Sequence, residues 1–304
     1  MKTIAEFVSD RISTVSELRD ALQTAMQLEF STIPPYLCAQ WSINSDPAGI
    51  EDMIGNIVVQ EMYHFALAGN LLTAIGGLPN VANPSFIPTY PTNVLPGGIP
   101  QALPVDLKPL TLEQVRVFMQ IEYPEFTPIA FAPTAASIGA FYTTIAEAFT
   151  TIAPPIDPNA FAVASGEAKP IRNLADALAA ISLIKGEGEG TEGSPDQPAS
   201  GNALAHYYIF KQMHEQRALV QDTAGHWSFS GPAIPLPTSF DFKRSAASPS
   251  PSLAFNQELT KLLNSLQTCW TAGARPNIGA MFRLKTLGED LIRQGIRPEF
   301  AWAP

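Results

Sequence analysis

Charge is scarce in this sequence. Only 15% of its 304 residues are Asp, Glu, Lys or Arg, against about 25% in an average soluble protein. The charge present leans acidic, with 28 carboxylates, 18 Lys and Arg and a net charge of −10. No basic cluster interrupts that balance, so the chain offers no surface for nucleic-acid phosphates. No run of eighteen apolar residues occurs, which excludes a membrane-spanning helix. Met1 to Asp10 carries acidic residues where a secretory leader would have an apolar core, so the expected location is cytoplasmic. The two cysteines, Cys38 and Cys269, are too few for a disulfide framework and lack metal-type spacing. Both are expected to pack as small apolar residues. Histidine occurs only at His64, His206, His214 and His226, which leaves imidazole chemistry a short list. Phosphate-binding glycine loops, G-x-S-x-G elbows and repeats of about 20–50 residues are also absent.

Proline is abundant: its 28 residues are nearly twice the usual share of about 5%. An apolar, proline-rich chain of this length reads as buried helices joined by long, rigid connections. One of those helices carries the most informative pattern. Ile50, Ile54, Ile57, Glu61, His64, Ala68, Leu71 and Ile75 step by alternating fours and threes and so share one face. Six of the eight are apolar, so that face points to the core. A carboxylate and an imidazole there are dehydrated unless something satisfies them. A metal ion does so, because Glu-x-x-His on one helix forms half of a carboxylate-bridged di-metal site in a four-helix bundle. A structural pair in which His64 donates to Glu61 does so too.

The preceding helix repeats the anomaly. Thr14-x-x-Glu17 reads as a capping box, and the stripe Leu18, Leu22, Ala25, Glu29, Ile33 again holds one carboxylate. Taken singly, Glu29 reads as a boundary residue; with Glu61 and His64 beside it, a ligand is the better reading. This helix is expected from about Val15 to Asn44, kinked at Pro34-Pro35 one turn after Glu29. Asp46-Pro47 is expected to open the next helix, which runs to Gly76-Gly77. The short connection makes the two an antiparallel pair.

Leu78 to Pro109 has eight prolines and no period; it reads as a crossover to the opposite end of a bundle. Thr111-x-x-Gln114 opens a helix with Val115, Phe118 and Glu122 on one stripe, ended by Pro124. Ser137 to Ile152 forms another, with Glu147 on the face opposite its apolar stripe and therefore solvated. Ile171 to about Lys185 is expected to stop in a loop, Gly186-Glu187-Gly188-Glu189-Gly190, where glycines permit unusual backbone angles. Asn202 to about Thr223 is expected to be helical, with His206 on the face of Phe210, Met213 and Val220. His214 falls at the boundary and His226 in a loop, so neither is expected to bind metal. Pro232 to Ser252 reads as a linker or surface wrap, followed by helices over about Leu253–Trp270 and Pro276–Gln294 with no buried ionisable group.

Several segments, in order, carry a family likeness: Leu28 to Leu37, Glu61-Met62-Tyr63-His64 with Asn70-Leu71-Leu72 and Ile75-Gly76-Gly77, Ile121-Glu122-Tyr123-Pro124-Glu125, Ile138-Gly139-Ala140-Phe141-Tyr142, Gly188-Glu189-Gly190-Thr191 and His206-Tyr207-Tyr208. The chain resembles the ferritin-like domain family that includes a domain of iminophenyl-pyruvate dimer synthase, from violacein-type pigment biosynthesis. The likeness spans about residues 10 to 225. It implies an all-α fold, a ferritin-like four-helix bundle; with the composition shift after Gly225, the expected domains are the bundle over residues 1–225 and a linker and C-terminal helical extension packed on it over residues 226–304. It also implies metal positions at Glu29, Glu61, His64, Glu122, Glu189 and His206, the inventory of a di-iron or di-manganese carboxylate centre. Two positions depart from the pattern. Ala203 stands where a second Glu-x-x-His needs its carboxylate, which would have to come from Glu189 or Glu187. Ala140 stands where an acidic or amide side chain is expected.

Two functions follow as expectations. One is a non-haem di-iron oxidoreductase acting with dioxygen on a small aromatic or apolar metabolite, given Tyr36, Tyr63, Tyr142 and Tyr207 nearby in sequence. The other is a non-catalytic bundle that binds metal or a small molecule and serves as a structural partner in a biosynthetic pathway. The expected partners are a small-molecule substrate and further copies of the chain in a homo-oligomer, with no nucleic acid and no membrane.

Overall fold

The computed structural model describes residues 2–98, 103–124, 137–190, 194–197, 203–247 and 250–303. Glu125 and Thr191 of the motifs above, and most of the stretch leading to Gly201, lie outside them.

The expected all-α bundle is present. A short helix, α1 (Ile4–Asp10), precedes the two longest, α2 (Val15–Trp41) and α3 (Ile50–Ala74), which pack along each other. Thr14 caps α2 by accepting from the Glu17 backbone N–H. Glu17 does not complete the box; its carboxylate accepts from Ser13 instead. The full reciprocal box is at Thr3 and Glu6, on α1. Helix α2 runs through Pro34-Pro35 without ending. Pro35 has no N–H for the Ser31 carbonyl four residues back, and the Tyr90 hydroxyl donates to that oxygen at 2.6 Å in its place. Helix α3 begins later than expected, at Ile50 with Gly49 as its cap. Asp46 still serves it from outside, its carboxylate accepting the Glu51 N–H at 2.8 Å.

The segment after α3 travels the length of the bundle. Asn80 N–H donates to Gln23 near the start of α2, and Leu110 N–H donates to the Ser42 hydroxyl beyond its end. From Gln23 to Ser42 the rise along α2 is about 28 Å. This is the expected crossover, and Tyr90 on it seals the proline site of α2.

The other half of the bundle consists of two interrupted helices. The chain forms α4 (Leu112–Ile121) and α5 (Ile138–Ile152), then α6 (Leu174–Glu189) and α7 (His206–Glu215). Helix α4 packs on α7, and α5 on α6; α2 touches α4 and α5, while α3 touches α6 and α7. Two expectations need correction here. The Gly186–Gly190 segment is not a loop, since α6 continues through Glu189 and ends at Gly190 with φ +84°. Its two internal glycines cost about 1 kcal/mol each relative to alanine, and the helix nonetheless carries Glu187 and Glu189 into buried positions. The expected helix over Asn202–Thr223 is only α7; Ala203–Leu204 is a strand, β3, paired with β2 (Asp196–Gln197), and Val220–Gln221 is another, β4, paired with β5 (Trp227–Ser228).

Helices α8 (Leu253–Ala272) and α9 (Ile278–Arg293) pack against the α2–α3 pair. The Trp270 indole N–H donates to Asn70 of α3 at 2.9 Å. The connecting segment is pinned where Thr238–Ser239 (β6) pairs with Ile43–Ser45 (β1). The extension does contain a buried ionisable group, contrary to its sequence reading. Glu258 on α8 is buried and accepts from Arg283 of α9 at 2.7 Å; an arginine-paired carboxylate looks apolar-compatible only once its partner is in place.

Candidate metal centre

Each break in a helix falls at the same level of the bundle, and polar side chains converge there. Glu122 is the C-cap of α4, Glu187 lies in the last turn of α6, and His206 is the first residue of α7. Glu29 on α2 and Glu61 with His64 on α3 face them across the core. All six are buried. Helix ends leave backbone groups open, so polar side chains concentrate there more readily than mid-helix.

The geometry divides into two groups that share one carboxylate. Glu29, Glu61 and His64 place ligand atoms within 4.8 Å of one another, and so do Glu61, Glu122 and His206. In the first group His64 Nδ1 lies 3.6 Å from Glu29 Oε2 and 3.7 Å from Glu61 Oε1. In the second His206 Nδ1 lies 2.9 Å from Glu61 Oε1 and 3.8 Å from Glu122 Oε2. The imidazoles lie nearly parallel, with centroids 5.6 Å apart.

Each carboxylate has its other oxygen occupied by a hydroxyl. Tyr142 donates to Glu29 Oε1 at 2.6 Å, Thr32 to Glu61 Oε2 at 2.9 Å and Tyr36 to Glu122 Oε1 at 2.5 Å. One oxygen of each is thus anchored and the other faces the Nδ1 atoms. The imidazoles are anchored from behind as well: His64 Nε2 meets Glu187 at 2.8 Å and His206 Nε2 meets the Gln60 side-chain oxygen at 3.1 Å. A hydrogen bond at the far nitrogen sets which ring nitrogen is free to bind metal.

The protonation pattern reflects crowded anions. Burial, followed by the Glu122 charge, pushes the Glu61 carboxyl up to about 7. Burial opposes charge on His206, yet Glu122 and Glu61 raise it to about 9. Burial likewise opposes charge on His64, but Glu187 and Glu29 hold it well above its ordinary value. Glu29, against the effect of burial, is held low by His64. Tyr36 and Tyr142 are pushed well up by burial and by the carboxylates they serve, so they stay protonated and donate.

These residues fit a pair of divalent cations. Two imidazoles cannot balance the four buried carboxylates of Glu29, Glu61, Glu122 and Glu187. His206 Nδ1 is buried and makes no hydrogen bond of proper direction, although Glu61 Oε1 is only 2.9 Å away. An imidazole nitrogen and a carboxylate oxygen this close could take a common ion once the imidazole gives up its proton. Mixed imidazole and carboxylate donors suit a first-row divalent metal.

Of the six positions expected to hold metal, the fold brings together Glu29, Glu61, His64, Glu122 and His206. Glu189 goes elsewhere: its carboxylate accepts the Gly139 N–H at 2.7 Å, at the start of α5, where the helix dipole favours a negative charge. Glycine at 139 leaves room for that carboxylate, which a Cβ there would displace. Glu187, the alternative, holds His64 from behind. A second Glu-x-x-His does not form, because Ala203 lies in β3, exposed and off the helix of His206. Gln60, Thr32 and the roles of Tyr36 and Tyr142 were missed; Thr32 and Tyr36 follow Glu29 by three and seven residues, a helical spacing that could have flagged them. Glu147 pairs with Arg11 at the surface, His214 accepts from Arg116, and His226 is exposed beside Asp222. None of these three is near either group. Among the described residues no helix is long and apolar enough to cross a membrane.

Comparison with known proteins agrees with this architecture. No curated protein gives a significant match. A solved structure described as a ferritin-like protein from Caulobacter vibrioides superposes with a TM-score of 0.71 at 22% identity, covering 96% of this chain and 100% of that one. Identity this low speaks for the fold alone. The sequence profile of the ferritin-like family matches residues 22–215, well over half of the chain and every residue of both ligand groups: the chain belongs to the ferritin-like family.

Proposed function

We propose that the protein is a di-metal carboxylate oxidoreductase, with iron or manganese at its centre, that uses dioxygen to oxidise a small aromatic or apolar metabolite. The observation that carries this reading is the pair of three-residue groups sharing Glu61. When bound, two reduced ions in such a site supply electrons to dioxygen. Glu29, Glu61 and His64 would hold one ion and Glu61, Glu122 and His206 the other. Glu187 and Gln60 would orient the imidazoles, while Tyr36, Tyr142 and Thr32 would hold the carboxylates and exclude water. The aromatic or apolar character of the substrate rests on the tyrosines near the site, with Tyr36 and Tyr142 in contact with its carboxylates. A cytoplasmic setting, in keeping with two buried and unpaired cysteines, is part of the proposal.

The second reading, a metal-binding bundle without catalysis, is favoured by one observation. Ala203 removes the sixth donor, and β3 takes its position off the helix. Iron content measured together with oxygen consumption separates the two. Iron at about two ions per chain with uptake of dioxygen by the reduced protein supports the oxidoreductase. Iron at that level without uptake supports the binding role, and no iron or manganese overturns both.

A further inference from the structure

A hairpin between α5 and α6 brings a further carboxyl group to the back of the metal centre. Ser165 and Ala168 exchange backbone hydrogen bonds at 3.2 and 3.0 Å, which leaves Gly166 and Glu167 as a two-residue tip. Both legs are fastened to α3 by Asn70, six residues after His64. Its side-chain oxygen accepts the Val163 N–H at 2.8 Å, and its amide donates to the Val163 and Lys169 carbonyls at 2.8 and 2.9 Å. The tip packs on Tyr63 of α3, with Gly166 against its hydroxyl. The hairpin is thus fixed on the helix that carries Glu61 and His64.

Glu167 is the side chain this arrangement turns inward. Ser165, Gly166 and Lys169 around it are exposed, whereas Glu167 is half-buried and its carboxyl group meets that of Glu187. Oε2 of Glu167 is buried and accepts no hydrogen bond from any described residue. The Lys169 ammonium donates to the Gly166 carbonyl at 2.7 Å. If both were ionised, the two carboxylates would repel, and the buried oxygen would have no donor in place of water. One proton between them removes both costs. Glu187 Oε2 lies 2.8 Å from His64 Nε2, which carries the hydrogen when Nδ1 faces a metal. Glu187 is then the acceptor of the pair and the proton belongs on Glu167, whose carboxyl is pushed up by burial and by the Glu187 charge.

We propose that Glu167 is a positioning residue of the metal centre: as a neutral acid it donates its O–H to Glu187 and holds that carboxylate against His64. The proposal rests on the metal-centre reading above.

The test is a double-substitution cycle in the full chain, with manganese as the probe and a competing chelator to read affinity. Glu167→Ala should weaken manganese binding about three- to tenfold, the worth of one net hydrogen bond. Glu167→Gln supplies an amide N–H in place of the acid and should bind within about twofold of the parent. In a Glu187→Ala background, Glu167→Ala should have no further effect. Equal weakening by Ala and Gln would mean that Glu167 acts through a negative charge, and would overturn the proposal. So would parental affinity in Glu167→Ala, or a further loss in the Glu187→Ala background. A parent chain that takes up no manganese would end the metal-centre reading and the positioning role with it. The Glu167–Glu187 hydrogen bond is decided separately, from denaturation midpoints of the metal-free single and double variants: independent effects would exclude it.

Discussion

Glu61 Oε1 and His206 Nδ1 lie 2.9 Å apart in the core without a hydrogen bond between them. The same oxygen is 3.7 Å from His64 Nδ1. One carboxylate oxygen thus faces both imidazoles, so both three-residue groups depend on Glu61.

Substitution of Glu61 should therefore affect both ions. Glu61→Ala is expected to lower bound metal from about two ions per chain to near zero while the helical signal persists, because the helices are packed by apolar contacts elsewhere. Glu29→Ala should lose mainly one ion. Elemental analysis of the purified variants decides; parental metal content in Glu61→Ala would show that Glu61 is not a required ligand.

Glu187 touches His64 on the side away from the other ligands. Glu187→Gln should keep the bundle folded but weaken metal binding by about 10- to 100-fold, the usual effect of losing a group that orients a metal-binding imidazole. Competition with a chelator of known affinity measures this. An unchanged affinity would place Glu187 outside the working site.

Glu189 leads to the opposite expectation. Its carboxylate caps α5 at Gly139, so Glu189→Ala should cost about 1 kcal/mol in stability, as loss of a helix cap does, and leave metal stoichiometry unchanged. Chemical denaturation and metal analysis of the same sample test both halves. A variant of parental stability that loses an ion would make Glu189 a ligand after all.

The metal-free chain should become less stable as pH rises. His206 has a folded value of about 9 against an ordinary 6.5, and Glu61 about 7 against 4.5. A raised folded value contributes stability that is complete below the ordinary value and is lost as pH climbs through the folded one. His64, also raised, acts in the same direction. Glu29, lowered, loses its contribution only as pH falls through its own depressed value. Between about pH 6.5 and about pH 8.5 the melting temperature of chelator-treated protein should thus fall. Bound manganese should reverse that trend, because metal requires deprotonated ligands and binds better as protons leave. A melting temperature that rises with pH in chelator-treated protein would contradict the assigned protonation states.

Helical periodicity alone placed Glu29, Glu61, His64, Glu122 and His206 on core-facing stripes. That was enough to bring them to one interior, because a helix buries its apolar stripe and carries along whatever polar residue sits on it. The same reasoning left Glu147 and His226 outside. It did not choose between Glu187 and Glu189, because the glycines around them resemble a loop. Once α6 continues through both, residues two apart lie about 200° apart, and only one can face His64. Which one does so depends on where α5 begins and how α6 packs on α3. The split of two bundle helices at the level of the site, the strand at Ala203 and the burial of Glu258 by Arg283 are likewise tertiary outcomes. They arise from contacts between residues far apart in the chain, whereas a periodic pattern records only the neighbours within one helix.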